Sequence, residues 1–382
     1  MTTWQAAREL AAGCAGPVSP QVVPLERALG AVLAADATAR SDLPAADVAA
    51  MDGWAVAGPP PWSVRGEVLA GTVPAPLDPG TAVVIATGAS VPPGADGVLR
   101  REHGRRDGDR LTATVPTDRC GPDALAGDVR RAGGECRRGD AVLPAGSRIG
   151  PAALGLLAAA GLDGVAVRRP AVDLLVLGDE LLDAGPARQG HLRDALGPLL
   201  SAWLPALGLV TASRRRVPDR ADALALALRG CLGDAVVTTG STAHGPVDHL
   251  HDVLAAAGAR LVVDGVRVRP GHPQLLALLP DGRPLVGLPG NPLAAVSGLL
   301  TLLGPLADAR SGRVAPPPRR APLAVDVAAG GEATRLVPVR AGVPVLFAGP
   351  AMLRGLATAD AVAVVPPGGA PAGTPVELLA VP

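Results

Sequence analysis

Residues 172–177 read VDLLVL, and the four residues that follow read GDEL (178–181). A nearly continuous apolar run of this length is typical of a strand that is buried on both faces of a parallel sheet. A second buried strand is predicted at 235–239 and further strands at 261–268 and 285–288, and segments with helical character lie between and after them at 192–207, 221–230, 247–257 and 293–306. Strands that alternate with helices predict a doubly wound α/β domain over residues 169–312.

The sequence on either side of this domain has a different pattern. Residues 3–13, 23–36 and 150–161 have helical spacing, so we expect helices there. Short Val-rich runs between Gly and Pro turns fill residues 41–140, and the same pattern returns after a Pro-rich linker at 315–320. We therefore predict four domains: a helical linker domain (1–48 and 141–168), a small β-rich domain (49–140), the α/β domain (169–312) and a C-terminal β-barrel (318–382).

Composition argues against several classes of protein. The 382-residue chain has a formal net charge of zero, its 35 basic residues are all Arg, and its aromatic residues are four Trp and one Phe. Without Lys it has neither a P-loop nor a Schiff-base lysine. A balanced charge and few aromatic side chains argue against binding to nucleic acid or a membrane. The sequence has no C-x-x-C or H-E-x-x-H zinc motif, and its first residues lack the pattern of a signal peptide, so we expect a cytoplasmic protein.

Polar loops follow three of the predicted strands. They are Gly178–Leu181, with the adjacent acids Asp179 and Glu180; Gly240–Asp248 (GSTAHGPVD); and Pro289–Pro292 (PGNP), which holds the chain's one Asn. Because the carboxyl ends of parallel strands meet at one sheet edge, we expect these loops to lie together and bind a ligand. The acids suit Mg²⁺, and the second loop has the form of an anion cradle. Alternatives stay open for each loop: acids that favour a helix N-terminus, an ordinary turn, and an Asn helix cap.

Seven segments, taken together and in order, resemble one known family. They are 41–56 (SDLPAADVAAMDGWAV), 84–103 (VIATGASVPPGADGVLRREH), 131–140 (RAGGECRRGD), 178–181 (GDEL), 240–248 (GSTAHGPVD), 269–273 (RPGHP) and 288–292 (LPGNP). This series resembles the MoeA family, the molybdopterin molybdenumtransferases, which are related to the C-terminal domain of gephyrin. The resemblance extends over nearly the whole chain.

The resemblance implies both an architecture and a reaction. It implies homodimers, with an active-site cleft between the central α/β domain of one subunit and the front-half β domain of the other. In the implied reaction, molybdate and adenylylated molybdopterin are the substrates, a divalent cation such as Mg²⁺ takes part, and AMP is released as molybdenum cofactor forms. A molybdopterin adenylyltransferase and the molybdoenzymes are the implied protein partners.

The resemblance also assigns roles to residues by position. Asp52 and Thr87 match motif residues on the partner-side wall of the cleft, and Glu180 and Asp248 match acids that hold the cation or position the substrates. These four are the candidate catalytic residues, and Glu180 and Asp248 are the candidate metal ligands. The candidate substrate-binding residues are Asp219, Gly240, Ser241, Thr242, Gly245, Arg269, His272, Pro289, Asn291 and Pro292.

Several positions depart from the family pattern. Ser241 stands where a Gly is usual, Ala243 where a Ser is usual, His272 where a Lys is usual, and Cys136 where an acid is usual. These departures leave open a non-catalytic relative that binds molybdopterin or acts as a scaffold for cofactor delivery. An enzyme with shifted activity, such as pterin adenylylation, is a third hypothesis. The retained candidate acids favour an active molybdenumtransferase.

Overall fold

The computed structural model of the chain describes residues 1–116, 125–243 and 248–382. Its backbone forms two compact units. The larger unit holds residues 1–35, 145–150 and 165–382, and the smaller unit holds residues 36–144 and 151–164. The finer division into four domains stays a prediction.

A six-stranded sheet, the central sheet, organises the larger unit. Its strands, in spatial order, are Val210–Val217, Ala171–Leu177, Ala235–Thr239, Pro284–Leu288, Leu275–Leu278 and Arg260–Asp264. The first four are parallel, and the last two continue the sheet in antiparallel pairing. The middle strands are almost completely buried, as the apolar runs predict.

Helices cover both faces of the central sheet. The alternation of side chains along a strand separates Leu174 and Val176 from Leu175 and Leu177, and each pair belongs to a different apolar cluster. The covering helices are Leu196–Ala206, Ala221–Arg229, Leu250–Ala256 and a long helix that begins at Pro292. This arrangement confirms the predicted α/β class.

The long helix is made of three consecutive segments, Pro292–Gly298, the π-helical Leu299–Leu303 and Gly304–Ser311. In the described part of the chain it is the one helix long and apolar enough to cross a membrane, but 72% of its most apolar window is buried inside the fold. The N-terminal helix Trp4–Gly13 packs against it, and Trp4 Nε1 donates a hydrogen bond to Thr301 Oγ1 at 3.2 Å. These contacts are typical of a core helix.

A second sheet of the larger unit, the C-terminal sheet, includes segments from distant parts of the chain. Its strands are Thr2–Thr3, Val266–Arg269, Thr334–Arg340, Ala361–Val365, Pro375–Ala380 and Arg320–Pro322 in spatial order, with Val343–Pro344 paired to Thr334–Arg340. The strand predicted at 261–268 is therefore wrong as a single element. Gly265, at φ 74°, separates a central-sheet strand from a C-terminal-sheet strand, and this conformation favours glycine.

The helix predicted at 23–36 is also wrong. This segment forms the strands Gln21–Pro24 and Val32–Leu33 around a single 3₁₀ turn at Leu25–Arg27. The residues that the helical spacing places on one face are buried with one exception: Leu29 is 51% exposed. Pairing of both strands with Gly164–Arg168 replaces the helix. Helices at Trp4–Gly13 and Pro151–Ala159 confirm the other two predictions.

The smaller unit contains the β structure predicted for the front half. Its main sheet has the strands Gly104–Asp107, Arg110–Ala113, Trp62–Val68, Thr81–Ile85, Gly53–Val56 and Gly97–Arg100 in spatial order. Two short antiparallel pairs flank it, Val48–Ala49 with Val129–Arg130 and Ala37–Thr38 with Ala141–Leu143. Trp54, Trp62, Leu99 and Leu111 form its core.

Candidate functional site

The three polar loops come together at the carboxyl edge of the central sheet. They line a cavity of about 850 Å³, called here the main cavity. Nine of the candidate residues are among its walls: Glu180, Asp219, Gly240, Ser241, Thr242, Asp248, Pro289, Asn291 and Pro292. Gly245 lies within 244–247, outside the described residues.

The adjacent acids of the first loop have different surroundings. Glu180 lines the main cavity. The backbone N–H of Asp179 donates to Asp219 Oδ2 at 3.0 Å, and the N–H of Asp219 donates to Asp179 Oδ1 at 3.4 Å. These reciprocal bonds connect the loops that follow two neighbouring strands. Asp179 and Asp219 therefore hold the two loops together, and Glu180 is the acid of the first loop that lines the cavity.

Two charged residues of the main cavity carry no sequence motif and were not predicted. Arg193 and Asp194 enter it because Leu181–Leu182 pairs in parallel with Leu192–Arg193. The Asp194 side chain is buried, and its Oδ1 accepts a hydrogen bond from Gly197 N–H at 2.9 Å, at the start of helix Leu196–Ala206. Asp194 thus stabilises the N-terminus of this helix, while the Arg193 side chain adds a positive charge to the wall of the cavity.

The second loop begins with two residues in the left-handed region. Gly240 has φ 82° and Ser241 has φ 58°. Ser241 Oγ accepts a hydrogen bond from His249 N–H at 2.7 Å, so its hydroxyl connects the start of the loop to the residue after Asp248. Gly290 of the third loop lies against Gly240, since a Cβ on Gly290 would be 3.6 Å from Gly240 Cα.

Ser241 offers a stability prediction, because a left-handed conformation costs a non-glycine residue about 1–2 kcal/mol. The variant Ser241→Ala keeps that cost and loses the bond to His249, so we expect it to reduce the free energy of unfolding by about 1 kcal/mol. Ser241→Gly loses the bond and the cost together, so its stability should stay close to that of the unchanged protein. Urea unfolding measures both variants, and equal losses would show that the backbone of Ser241 is not strained.

The third loop leads into the long helix, and the helix-cap alternative for its Asn side chain is not what the structure shows. Asn291 occupies the N-cap position, but its side chain makes no capping hydrogen bond and is exposed at the main cavity. Pro292 takes the first helical position, which suits its fixed φ and missing N–H. The N–H groups of Leu293 and Ala294 donate to Pro350 O at 2.9 and 3.2 Å. A segment near the C-terminal sheet therefore closes this helix N-terminus.

Arg269 and His272 line a neighbouring cavity of about 610 Å³, called here the second cavity. It shares Pro273, Pro289 and Asn291 with the main cavity, and Arg335 of the C-terminal sheet adds another cation. The candidate substrate-binding residues thus fall into two adjoining groups rather than one.

Asp52 and Thr87 form a local pair in the smaller unit. Asp52 Oδ1 accepts hydrogen bonds from Thr87 Oγ1 and from Thr87 N–H, both at 2.7 Å. Both donors lower the pKa of the exposed Asp52 carboxyl below its ordinary value, and the Thr87 hydroxyl has the larger effect.

The variant Thr87→Val should raise the pKa of Asp52 towards its ordinary value, because it removes the hydroxyl donor while Thr87→Ser keeps it. A carboxyl whose pKa is lowered by folding stabilises the fold above its unfolded pKa, and this contribution disappears as the pH falls through the folded pKa. The acid-side loss of stability should therefore be smaller in Thr87→Val. Carboxyl NMR titration measures the pKa, and an unchanged value in Thr87→Val would contradict the hydrogen-bond explanation.

Cys136, which stands where the family pattern has an acid, is a packing residue of the smaller unit. It is buried in a small cluster with Ala39 and Ala160. Burial raises the pKa of its thiol, so the side chain is neutral near pH 7. It therefore does not replace the carboxylate with another anion.

The described residues do not contain three or more His, Cys, Asp or Glu side chains grouped to hold a metal ion. Of the described acids, four line the main cavity: Asp194 and Asp219 accept hydrogen bonds from backbone N–H groups, and Glu180 and Asp248 lie on separate loops. In phosphate chemistry Mg²⁺ is usually held by one or two carboxylates together with waters and substrate phosphates. Glu180 and Asp248 fit a cation whose coordination the substrate completes.

Two family models match the chain. Residues 2–161 match the family described as MoeA N-terminal region (domain I and II), and residues 173–309 match the family described as probable molybdopterin binding domain. A molybdopterin molybdenumtransferase of Staphylococcus aureus (strain COL) is 31% identical over 298 residues, which are 74% of this chain and 70% of the relative.

Two further relatives cover more of the chain. A protein of the same name from Synechococcus elongatus is 31% identical over 321 residues, 79% of this chain and 78% of the relative. A solved structure described as a molybdopterin biosynthesis MoeA protein from Pyrococcus horikoshii has a TM-score of 0.74 and 26% identity, and covers 100% of this chain and 99% of that one.

Proposed function

The chain belongs to the MoeA family of molybdopterin molybdenumtransferases, and on this premise we propose that it inserts molybdate into adenylylated molybdopterin and releases AMP. Membership itself makes the chain a transferase of molybdenum cofactor biosynthesis. The observation that carries the finer proposal is the main cavity, which Glu180 and Asp248 line together with Gly240–Thr242, the start of the loop predicted to bind an anion.

The chemistry of AMP release suits these residues. Cleavage at phosphorus builds negative charge on the phosphoryl oxygens, and a bound Mg²⁺ supplies the charge that offsets it. Glu180 and Asp248 would hold the cation. Ser241 and Thr242 line the cavity beside Gly240, and Arg193 adds positive charge at the wall, so substrate phosphates would be bound and oriented here.

The second cavity suits the other substrate. Molybdate is a small tetrahedral dianion, and Arg269 and Arg335 line this cavity with His272. Because the two cavities share Pro289 and Asn291, an anion bound in the second cavity would lie beside a pterin bound in the main cavity.

The family resemblance supports a further set of proposals. We propose that the protein acts as a cytoplasmic homodimer and that Asp52 and Thr87 of a second copy contribute to the active site. A molybdopterin adenylyltransferase would supply the substrate, and molybdoenzymes would receive the product.

The reaction is tested by AMP release from adenylylated molybdopterin in the presence of Mg²⁺, with and without molybdate. We expect AMP release that depends on molybdate. Tight binding of the pterin without AMP release would instead favour the non-catalytic alternative, to which the departures at Ala243 and His272 point.

A further inference from the structure

The edge strand Val210–Val217 carries three consecutive arginines, and the third reaches the loop that holds Glu180. Arg216 Nη2 donates to Gly178 O at 2.9 Å and to Asp179 O at 3.4 Å. Its Nη1 lies 3.5 Å from Asp183 Oδ2. One guanidinium therefore contacts two residues of the loop that follows the strand Ala171–Leu177, and Asp183 just beyond the short strand Leu181–Leu182.

The conformation of Gly178 and Asp179 determines where the Glu180 carboxylate lies. Gly178 has φ 137°, and a Cβ added there would be 2.8 Å from Glu180 Oε2. The Glu180 side chain thus folds back over Gly178 Cα. The two carbonyl groups that Arg216 binds belong to the residues that direct this fold, so a change in their orientation would move the carboxylate.

The contribution of Arg216 to overall stability should be small. The Arg216 and Asp183 side chains are 32% and 70% exposed, and exposed ion pairs of this kind contribute about 0–1 kcal/mol. Both carbonyl contacts come from one nitrogen of the planar guanidinium, Nη2, while Nη1 faces Asp183. A lysine has a shorter side chain and ends in a compact ammonium group, so it cannot place donors at both positions in the same way. The geometry therefore favours a local role in the loop.

We propose that Arg216 is a positioning residue that holds the loop of Glu180 in the conformation that binds the divalent cation. The proposal rests on the proposed function, in which Glu180 is a ligand of that cation. Arg216 acts through the backbone of Gly178 and Asp179. Changes in such outer partners typically reduce metal affinity by about 10–100-fold.

The test compares Arg216→Lys with Arg260→Lys. Arg260 is exposed on the strand at the opposite edge of the same sheet, so this variant controls for the substitution itself. Binding of Mn²⁺, as a probe for Mg²⁺, is followed by electron paramagnetic resonance in the presence of AMP. We expect the dissociation constant for Mn²⁺ to rise about tenfold or more in Arg216→Lys and to stay unchanged in Arg260→Lys.

Two further variants separate the contacts of Arg216. Asp183→Asn removes only the ion pair, so Mn²⁺ affinity should be unchanged. Arg216→Gln carries its NH₂ group two bonds nearer the backbone than Arg216 Nη2, so it should lose the contacts to Gly178 O and Asp179 O and weaken Mn²⁺ binding as Arg216→Lys does. This second variant keeps the test valid if the lysine variant does not fold. The melting temperature should change little in all variants, and excess Mg²⁺ should restore AMP release by Arg216→Lys.

Unchanged Mn²⁺ affinity in folded Arg216→Lys would overturn the proposal, as would an absence of Mn²⁺ binding by the unchanged protein. A loss of AMP release that excess Mg²⁺ does not restore would also overturn it. If the unchanged protein itself releases no AMP but Arg216→Lys still binds Mn²⁺ more weakly, the positioning role would be supported and only the proposed transferase reaction would be contradicted.

Discussion

The variant Glu180→Gln is expected to release AMP from adenylylated molybdopterin at least about 100-fold more slowly than the unchanged protein. Glu180 is the acid of the first loop that lines the main cavity, and the amide keeps its size while it removes the charge that a divalent cation needs. Because Glu180 is exposed, the melting temperature should stay nearly the same. Single-turnover measurement at saturating substrate separates the chemical step from binding.

Glu332→Gln is the matched control for this experiment. Glu332 is exposed in a turn of the same larger unit and lines neither cavity described above. Its AMP release should equal that of the unchanged protein. Full activity of Glu180→Gln would show that the cation is held elsewhere, and the role proposed for this loop would then be wrong.

The variant Gly53→Ala is expected to reduce the free energy of unfolding of the smaller unit by about 3 kcal/mol or more. Gly53 pairs with Arg100 in the antiparallel contact between strands Gly53–Val56 and Gly97–Arg100. A Cβ on Gly53 would lie 2.0 Å from Leu99 O, and this backbone atom cannot move without separating the strands. Hydrogen exchange should show lost protection in residues 53–56 and 97–100.

Gly155→Ala is the control in the same unit. Gly155 lies in helix Pro151–Ala159, and a Cβ there would meet no atom within 4 Å. Alanine should therefore stabilise the protein by up to about 1 kcal/mol. If Gly53→Ala unfolds at the same urea concentration as the unchanged protein, the strands do not approach as closely as described.

The central sheet could be predicted because burial on both faces leaves a direct mark on the sequence. Residues 172–177 and 235–239 are apolar throughout or nearly so, and the structure buries them between two clusters. Strand Val210–Val217 was not predicted, because it lies at the sheet edge and its sequence, VTASRRRV, is polar. Only its pairing with Ala171–Leu177 makes it a strand, and single-sequence patterns do not reveal such pairing.

At residues 23–36 the sequence predicted a helix that the structure does not contain. The helical spacing placed five apolar residues on one face, and the structure buries all of them except Leu29, which is 51% exposed. The spacing did not predict the backbone conformation. Pro24 precedes the 3₁₀ turn, and Gly30 has φ 79°, a conformation that interrupts a helix. Long-range pairing with Gly164–Arg168 then determines the structure.

Part of the candidate site followed from topology alone. Loops after parallel strands meet at one sheet edge, so the convergence of Glu180, Ser241 and Asn291 could be predicted without coordinates. The separation of Arg269 and His272 into a second cavity could not, because that cavity also needs residues of the C-terminal sheet such as Arg335. Arg216 was missed for a related reason: its role is defined by contacts with backbone carbonyl groups, which carry no sequence signal.

The most direct test of the transferase assignment is the molybdenum content of the pterin product, measured together with the AMP released. The purified protein is supplied with adenylylated molybdopterin, Mg²⁺ and molybdate, and the pterin is separated and analysed for metal. We predict equal amounts of AMP and pterin-bound molybdenum, and neither product in the absence of molybdate. AMP released at the same rate without molybdate, with a pterin that contains no molybdenum, would contradict the assignment.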